Sequence, residues 1–356
     1  MQISLIVPTR NRDRSLVRTM QSVVQTVSGH TDVEVLVVDN GSTDHTADCV
    51  REIAERHPRM FLRYFHDAMP GLLTGRHRGA KEARGEILAY LDDDVLLGPT
   101  WLEALEDAFG DPRVGLVGGP SVPHYEVDPP PWLGKLWRDF DGGRTCGSLS
   151  LIELGSVSKP MDPCYVWGLN FSIRKKVFHE CGGFHPDCLP KSLQRYQGDG
   201  ETGLTMKIKE KGIAALYHPG VAVTHVIPAS RLAPEAFEER AFYQGVCDSY
   251  TRIRRDRFMP ALRQKSWKDL LRPAKWNLER QMILRNPTSE NICCLMGRAH
   301  TAGMKFHQNE VCKDPKLFEW VLKPDYLDYR LPDGWKRLCK SAKGVIHERT
   351  PQTSCT

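Results

Sequence analysis

Four short apolar runs dominate the first hundred residues: Ile3 to Pro8, Val33 to Val38, roughly Met60 to Phe65, and Ile87 to Leu91. Segments of a different period separate them. Asp13 to Ser28 repeats its apolar residues at Leu16, Met20, Val23 and Val27, Ser42-Thr43-Asp44 can cap a helix reaching about His57, and Leu72 to Arg84 reads as a third helix. Strands that are apolar on both faces cannot leave either face in water. Alternating with helices, they predict an α/β chain with a parallel, Rossmann-like sheet flanked by helices. Such sheets bind ligands at the carboxyl ends of their strands. Those ends here are Thr9-Arg10-Asn11, Asp39-Asn40-Gly41-Ser42, His66-Asp67 and Asp92-Asp93-Asp94, so four polar clusters converge on one edge.

After Asp111 the pattern changes. Pro129-Pro130-Pro131-Trp132 and Asp141-Gly142-Gly143 predict a long, mobile insertion up to about Pro163. Regular structure resumes between Pro163 and Ile173, a helix is expected from Arg174, and beyond about Pro234 the chain turns helical, with Phe237, Phe242, Tyr243 and Tyr250 on its inner face.

The net charge of the 356-residue chain is +5, with no long run of like charge, which does not favour nucleic acid as a partner. Basic residues thicken at Arg252, Arg254 and Arg255 and again through Lys265, Lys268, Arg272 and Lys275; a solvated face is the first reading and a membrane surface or acidic acceptor the second. The opening residues do not read as a secretory leader, and no apolar run is long enough to span a bilayer. Eleven scattered cysteines without a CxxC pair suggest reduced thiols and a cytoplasmic protein, and give no support to a zinc site.

Three adjacent carboxylates at Asp92-Asp93-Asp94 repel one another unless a cation is shared, and hard oxygen ligands favour Mg2+ or Mn2+. The plainer reading is a solvated turn capping a helix near Pro99. Asp39 can accept hydrogen bonds from a base or ribose, or form a turn with Gly41. The loop Thr9 to Arg12 has neither the glycine fingerprint of a dinucleotide site nor a Walker lysine. Arg76 and Arg78 suit a phosphate, or an exposed helix face; His77 between them is more often structural. Asp199 and Glu201 precede an amphipathic helix, where either can serve as a general base or simply as helix-end charge. His225 follows the apolar run Gly220 to Val223 and can join the acidic triplet on a metal.

Taken in order, Pro8-Thr9-Arg10-Asn11-Arg12, the run Val37 to Asp44, the glycine and arginine helix Gly71 to Glu86, and the D-x-D element Asp92 to Asp94 resemble the family 2 glycosyltransferases of the GT-A fold, over about residues 1 to 230. The resemblance implies an inverting transfer of a sugar from a nucleotide-diphosphate donor, uridine diphosphate first, to a hydroxyl of a carbohydrate or glycoconjugate. It implies a nucleotide held by Thr9, Asn11, Asp39 and Arg76, with Asp92 on the ribose side and Pro8, Arg10, Asn40, Gly41 and Asp93 lining the same donor site. Mn2+ or Mg2+ would sit on Asp94, with Asp92 and His225, and Trp167 and Asn170 would line the sugar pocket. The family's base motif G-E-D-x-E-L becomes Gly200-Glu201-Thr202-Gly203-Leu204; aligned on Leu204, Glu201 takes the aspartate's place, while Asp199 is an extra carboxylate that leaves the assignment open.

The expected organisation is a catalytic unit over 1–232, its nucleotide half at 1–110 and acceptor half at 111–232, followed by a mainly helical extension over 233–356. A tail containing Trp267, Trp276, Arg254 and Arg255 suggests peripheral contact with the inner membrane, or a homodimer. Two other readings share part of the pattern: a nucleotidyltransferase, disfavoured by the missing glycine-rich first loop, and a noncatalytic nucleotide-sugar-binding scaffold, disfavoured by the intact carboxylates.

Overall fold

The computed structural model describes residues 2–259, 268–332 and 335–336. Lys265 and Trp267 of the basic, aromatic stretch lie outside them, and of Lys268, Arg272 and Lys275 only the backbone is described.

The first half follows the expected alternation: β1 (Ile3–Thr9), α1 (Asp13–Val27), β2 (Val33–Asp39), α2 (Thr46–Arg56), β3 (Phe61–His66), α3 (Leu72–Glu82) and β4 (Ile87–Leu91). β1, β2 and β4 are buried along their whole length, whereas β3, at the sheet edge, is half-buried to exposed throughout. All four strands run parallel, and the register pairs Thr9 with Asp39 and Asp39 with His66. The polar clusters at the strand ends are therefore level with one another, as the chain period alone required.

The chain continues through β5 (Val95–Leu97), α4 (Trp101–Gly110), β6 (Val114–Gly118), β7 (Ser121–Tyr125), β8 (Arg138–Phe140), β9 (Gly143–Cys146), β10 (Leu151–Glu153) and β11 (Lys159–Pro160). It then forms β12 (Asn170–Arg174), α5 (Lys175–Glu180), α6 (Glu201–Glu210), β13 (Ala214–Tyr217) and β14 (Val223–Ile227). The main sheet has the order β11-β13-β6-β12-β4-β1-β2-β3, with β12 antiparallel to both neighbours. It is mostly parallel, not wholly so.

The stretch expected as a mobile insertion is ordered. It supplies β7, β8, β9 and β10 to a second sheet of order β5-β14-β7-β10-β9-β8. These strands are three to five residues long and interrupted by Pro and Gly, so no period of two could be read in them. Trp132 and Leu133 are buried beneath them, packed with Leu149, Ile227 and Phe237. β14 pairs with β5 so that His225 faces Val95, the residue directly after the acidic turn, and Val226 N donates to Asp94 O at 2.9 Å. Sheet pairing, and not sequence proximity, brings His225 to the triplet.

Among the described residues, β14 is followed by α7 (Pro234–Asp256), α8 (Lys268–Arg285), α9 (Ser289–Lys313) and α10 (Pro315–Leu322). Tyr250, Ile253, Val311, Leu317 and Tyr326 lie in the same hydrophobic cluster as Ile6, Tyr90 and Phe184, so the C-terminal helices share a core with the sheet. α7 and α9 approach closely at two glycines: a Cβ on Gly245 would lie 2.0 Å from His300 O, and one on Gly303 would lie 2.0 Å from Phe242 O. Phe237 and Tyr250 face inward as expected; Phe242 and Tyr243 are only half-buried and face a groove. No helix among the described residues is long and apolar enough to cross a membrane.

Candidate active site

Two adjoining cavities, of about 520 and 350 Å3, open where the main sheet's carboxyl edge meets the second sheet and α7. They share Leu72, Asp92, Ser150, Cys188, Arg231 and Arg240. The smaller lies over the ends of β1 and β4 and is lined by Pro8, Thr9, Arg10, Arg12, Asn40, the three aspartates and His225. The larger reaches from Arg76 and Gly168 to Asp187, Asp199 and Glu201.

The three aspartates diverge. Asp93 turns to β1, accepting from Thr9 Oγ1 at 2.6 Å and Arg12 Nη1 at 2.7 Å; burial, with help from Asp94, raises its pKa to about 6 against the pull of Arg12. Asp94 accepts from Arg12 at 2.8 Å and lies 3.3 Å from Arg231 Nη1 and 3.5 Å from His225 Nε2. Burial alone would raise its pKa, but the positive charges of Arg12 and Arg231 outweigh it and hold the carboxyl well below the usual range. Asp92 faces Arg76 at 3.5 Å. Of the expected set, Asp94 and His225 come together at 3.5 Å, while Asp92 turns to Arg76. Among the described residues, the group whose three ligand atoms all lie within 4.8 Å of one another is His30, Asp32 and Glu106.

His225 is fixed from behind. Its Nδ1 is 3.0 Å from Leu149 O and must donate there, which leaves the Nε2 lone pair facing Asp94 and accepting from Arg231 Nη1 at 2.9 Å.

Arg76 is the centre of the larger cavity. Its side chain is only 3% exposed, rests 4.9 Å over the Phe184 ring, and meets Glu201 at 3.3 Å, Asp92 at 3.5 Å and Asp187 at 3.7 Å. Gly168 permits this, since a Cβ there would sit 1.9 Å from Arg76 Nη2. Glu201 opens α6 and accepts from Gly168 N at 3.3 Å through its other oxygen, while its side chain stays a quarter exposed to the cavity. Asp199 is committed elsewhere: its oxygens take His185 Nδ1 at 2.7 Å and Thr251 Oγ1 at 2.6 Å, and these contacts lower its pKa despite its burial. Of the two carboxylates, Glu201 is the one left to face a ligand.

Other expected residues brace the scaffold. Asn170 is buried, taking Trp101 Nε1 at 3.1 Å and giving its amide to Val221 O at 2.8 Å, so it lines neither cavity. Trp167 packs between two apolar clusters; its neighbours Gly168 and Leu169 form the wall instead. Asp39 accepts from Ser42 N at 2.7 Å and Tyr64 OH at 2.6 Å, Asn11 at φ +52° accepts from Thr43 N at 2.7 Å, and Gly41 turns at φ +78° against Ala68. Asn40 lines the smaller cavity, its amide tied to Asp67 O at 3.0 Å. Arg78 pairs with Glu82 at 3.0 Å, while buried His77 accepts from Phe184 N at 2.9 Å through Nε2.

Sequence reasoning missed Asp187, Arg231 and Arg240. Asp187 is raised to about 6 by burial and the nearby Glu201 and Asp92 charges, against the pull of Arg76. It lies in His185-Pro186-Asp187-Cys188, which carries no periodic signal. Arg231 and Arg240 stand beyond the motifs in which an anion site was sought.

A mostly parallel sheet with an acidic turn at its ligand edge, faced by a second short-stranded sheet, defines the GT-A class of scaffold. The chain belongs to the glycosyl transferase family 2, whose model matches residues 4–182. It is 30% identical over 200 residues to validoxylamine A glucosyltransferase of Streptomyces hygroscopicus subsp. limoneus, covering 52% of this chain and 44% of that protein. It is 25% identical over 252 residues to glucosyl-dolichyl phosphate glucuronosyltransferase of Haloferax volcanii, covering 69% and 75%. The match to the first of these spans less than half of that relative's length. In structure, the chain resembles the mannosyltransferase PcManGT from Pyrobaculum calidifontis, solved in complex with GDP-Man and Mn2+, at TM-score 0.53 and 19% identity over 98% of this chain and 88% of that one.

Proposed function

We propose that the protein transfers a sugar, with inversion, from a nucleoside diphosphate sugar, uridine diphosphate sugars foremost, to a hydroxyl of a carbohydrate or glycoconjugate. The observation that carries this reading is the span of one cleft: the acidic turn lies at one end, Glu201 at the other, and Arg76 touches both. In an inverting displacement the base and the leaving group stand on opposite sides of the reacting carbon, and no covalent intermediate on the protein is required. The donor diphosphate fits the smaller cavity, where Arg12, Arg231 and Arg240 supply positive charge and Thr9 and Asn40 line the wall. Glu201, partly open to the larger cavity, takes the proton of the attacking hydroxyl, and Arg76 holds Glu201 in place while offsetting charge on the donor side.

The residues fit a divalent cation, Mn2+ or Mg2+. Asp94 Oδ1 is buried without a hydrogen-bond partner and faces the Nε2 lone pair of His225. Asp94 and His225 would hold the ion, with Asp92 adjacent. When bound, such an ion neutralises diphosphate oxygens. The test is hydrolysis or transfer of an α-linked nucleotide sugar followed by NMR: the β anomer should appear first, and an α product would contradict the inverting mechanism.

A further inference from the structure

A third cavity, of about 480 Å3, runs between α7 and the facing sides of α8 and α9, and it shares Glu239 and Tyr243 with the Glu201 cavity. It therefore continues the active-site cleft, away from the acidic turn. Its walls come from the C-terminal helices and from Lys191 and Gln194, all outside the residues 4–182 that define the family, so the family's shared chemistry does not account for it. Three features specify its ligand. Phe242, Tyr243 and Trp276 line it, giving ring surface of the kind that holds apolar faces of a ligand. Its charged lining balances, with Lys191, Arg280 and Arg298 against Glu235, Glu238 and Glu239, and is largely self-paired: Arg280 with Glu238 at 2.7 Å and Lys191 with Glu239 at 3.3 Å. Such a wall does not select an anion or a cation. Yet carboxylates and guanidiniums held in pairs keep spare acceptor and donor positions, and Tyr243 adds a hydroxyl to the same wall.

We propose that this groove binds the distal part of the acceptor, and that the acceptor is a neutral saccharide chain of two or more rings. Rings and hydroxyls alternate on such a chain as aromatic faces and fixed polar groups alternate on the groove. The terminal ring lies in the cavity at Glu201, the chain passes Tyr243 and Glu239, and the next rings rest against Phe242 and Trp276. Arg298, also on the groove wall, lies 4.4 Å from the centre of the Trp276 ring. This inference rests on the transferase reading above and deepens it.

The test uses the full chain on an array of neutral glycans of one to five rings, saturated with whichever nucleoside diphosphate it binds. Native protein and two variants are compared. Ala302→Trp fills the groove from an exposed helix position, and Trp276→Ala removes the ring. The expected result is binding of glycans of two or more rings in preference to single sugars, weakened about tenfold or more by either variant, as for loss of a central aromatic contact. Nucleoside diphosphate affinity should not change in either variant. Equal binding of one-ring and longer glycans, glycan binding indifferent to Ala302→Trp, or no neutral glycan bound by a protein that does bind nucleotide would each overturn the proposal. Absence of nucleotide binding in the native chain would instead strike the transferase reading itself.

Discussion

Arg76 and Glu201 stand 125 residues apart in the chain, yet the guanidinium of one lies 3.3 Å from the carboxylate of the other. Arg76 holds Asp92 and Asp187 as well, so one buried cation joins the end of β4 to the start of α6. A lysine keeps the charge but cannot present a fork to several carboxylates. Arg76→Lys should fold and lose about 100-fold in turnover, the scale of removing one placed charge donor. Arg76→Ala leaves buried carboxylates uncompensated and should cost on the order of 3–5 kcal/mol in urea unfolding. Full turnover in the lysine variant would show that Arg76 is merely structural.

Gly168 makes the approach of Arg76 possible, and its substitution tests the geometry without touching a charge. A methyl group at Gly168 would lie 1.9 Å from Nη2 and must push the guanidinium aside. Gly168→Ala should lower stability by about 1–3 kcal/mol, the usual cost of overpacking, and depress turnover more than nucleotide affinity. Steady-state kinetics beside calorimetric nucleotide binding separates the two effects.

Asp199 and Glu201 look alike in sequence, and their surroundings separate them. Asp199 is buried and bonded to His185 and Thr251, so Asp199→Asn should destabilise the fold by about 3 kcal/mol while the folded fraction keeps most of its activity. Glu201→Gln should do the opposite: unfolding near that of the native chain, with turnover reduced about 100-fold to 10,000-fold, the range for a general base. Reversed phenotypes would assign the base to Asp199.

His77 gives the fold a pH dependence. Burial pushes its pKa down to about 3 from an ordinary 6.5, because a charged imidazole has no water among Phe178, Phe184 and Tyr329. The unfolded chain takes up the proton below pH 6.5 and the folded chain does not. The stabilisation is thus complete above pH 6.5 and is lost progressively as the pH falls toward 3, by about 1.4 kcal/mol per unit. His77→Gln, which can still accept from Phe184 N, should unfold with a shallower pH dependence between 6.5 and 4.5. An unchanged slope would rule His77 out as the cause.

The parallel half of the sheet was legible because β1, β2 and β4 must be apolar on both faces, and the register then aligned Thr9, Asp39 and His66 without further information. The second sheet was not, since strands of three to five residues broken by Pro and Gly carry no period. Local motifs named Arg76, Glu201 and the acidic turn. They could not show that Asn170 and Asp39 already have both hydrogen-bonding ends satisfied by the scaffold, nor that Asp187 joins the cluster, because those facts depend on pairing across the fold. His225 was expected just after a strand but lies in the middle of β14, and it meets Asp94 through the register of β14 on β5.

The most direct measurement is calorimetric titration of the full chain with UDP, GDP, CDP and dTDP, with and without Mn2+, for native protein and Asp94→Ala. The expected result is tight binding of at least one diphosphate that weakens sharply when either the ion or the Asp94 carboxylate is removed. No binding of any diphosphate, or binding indifferent to both Mn2+ and Asp94, would contradict the placement of a nucleotide-sugar donor at the acidic turn.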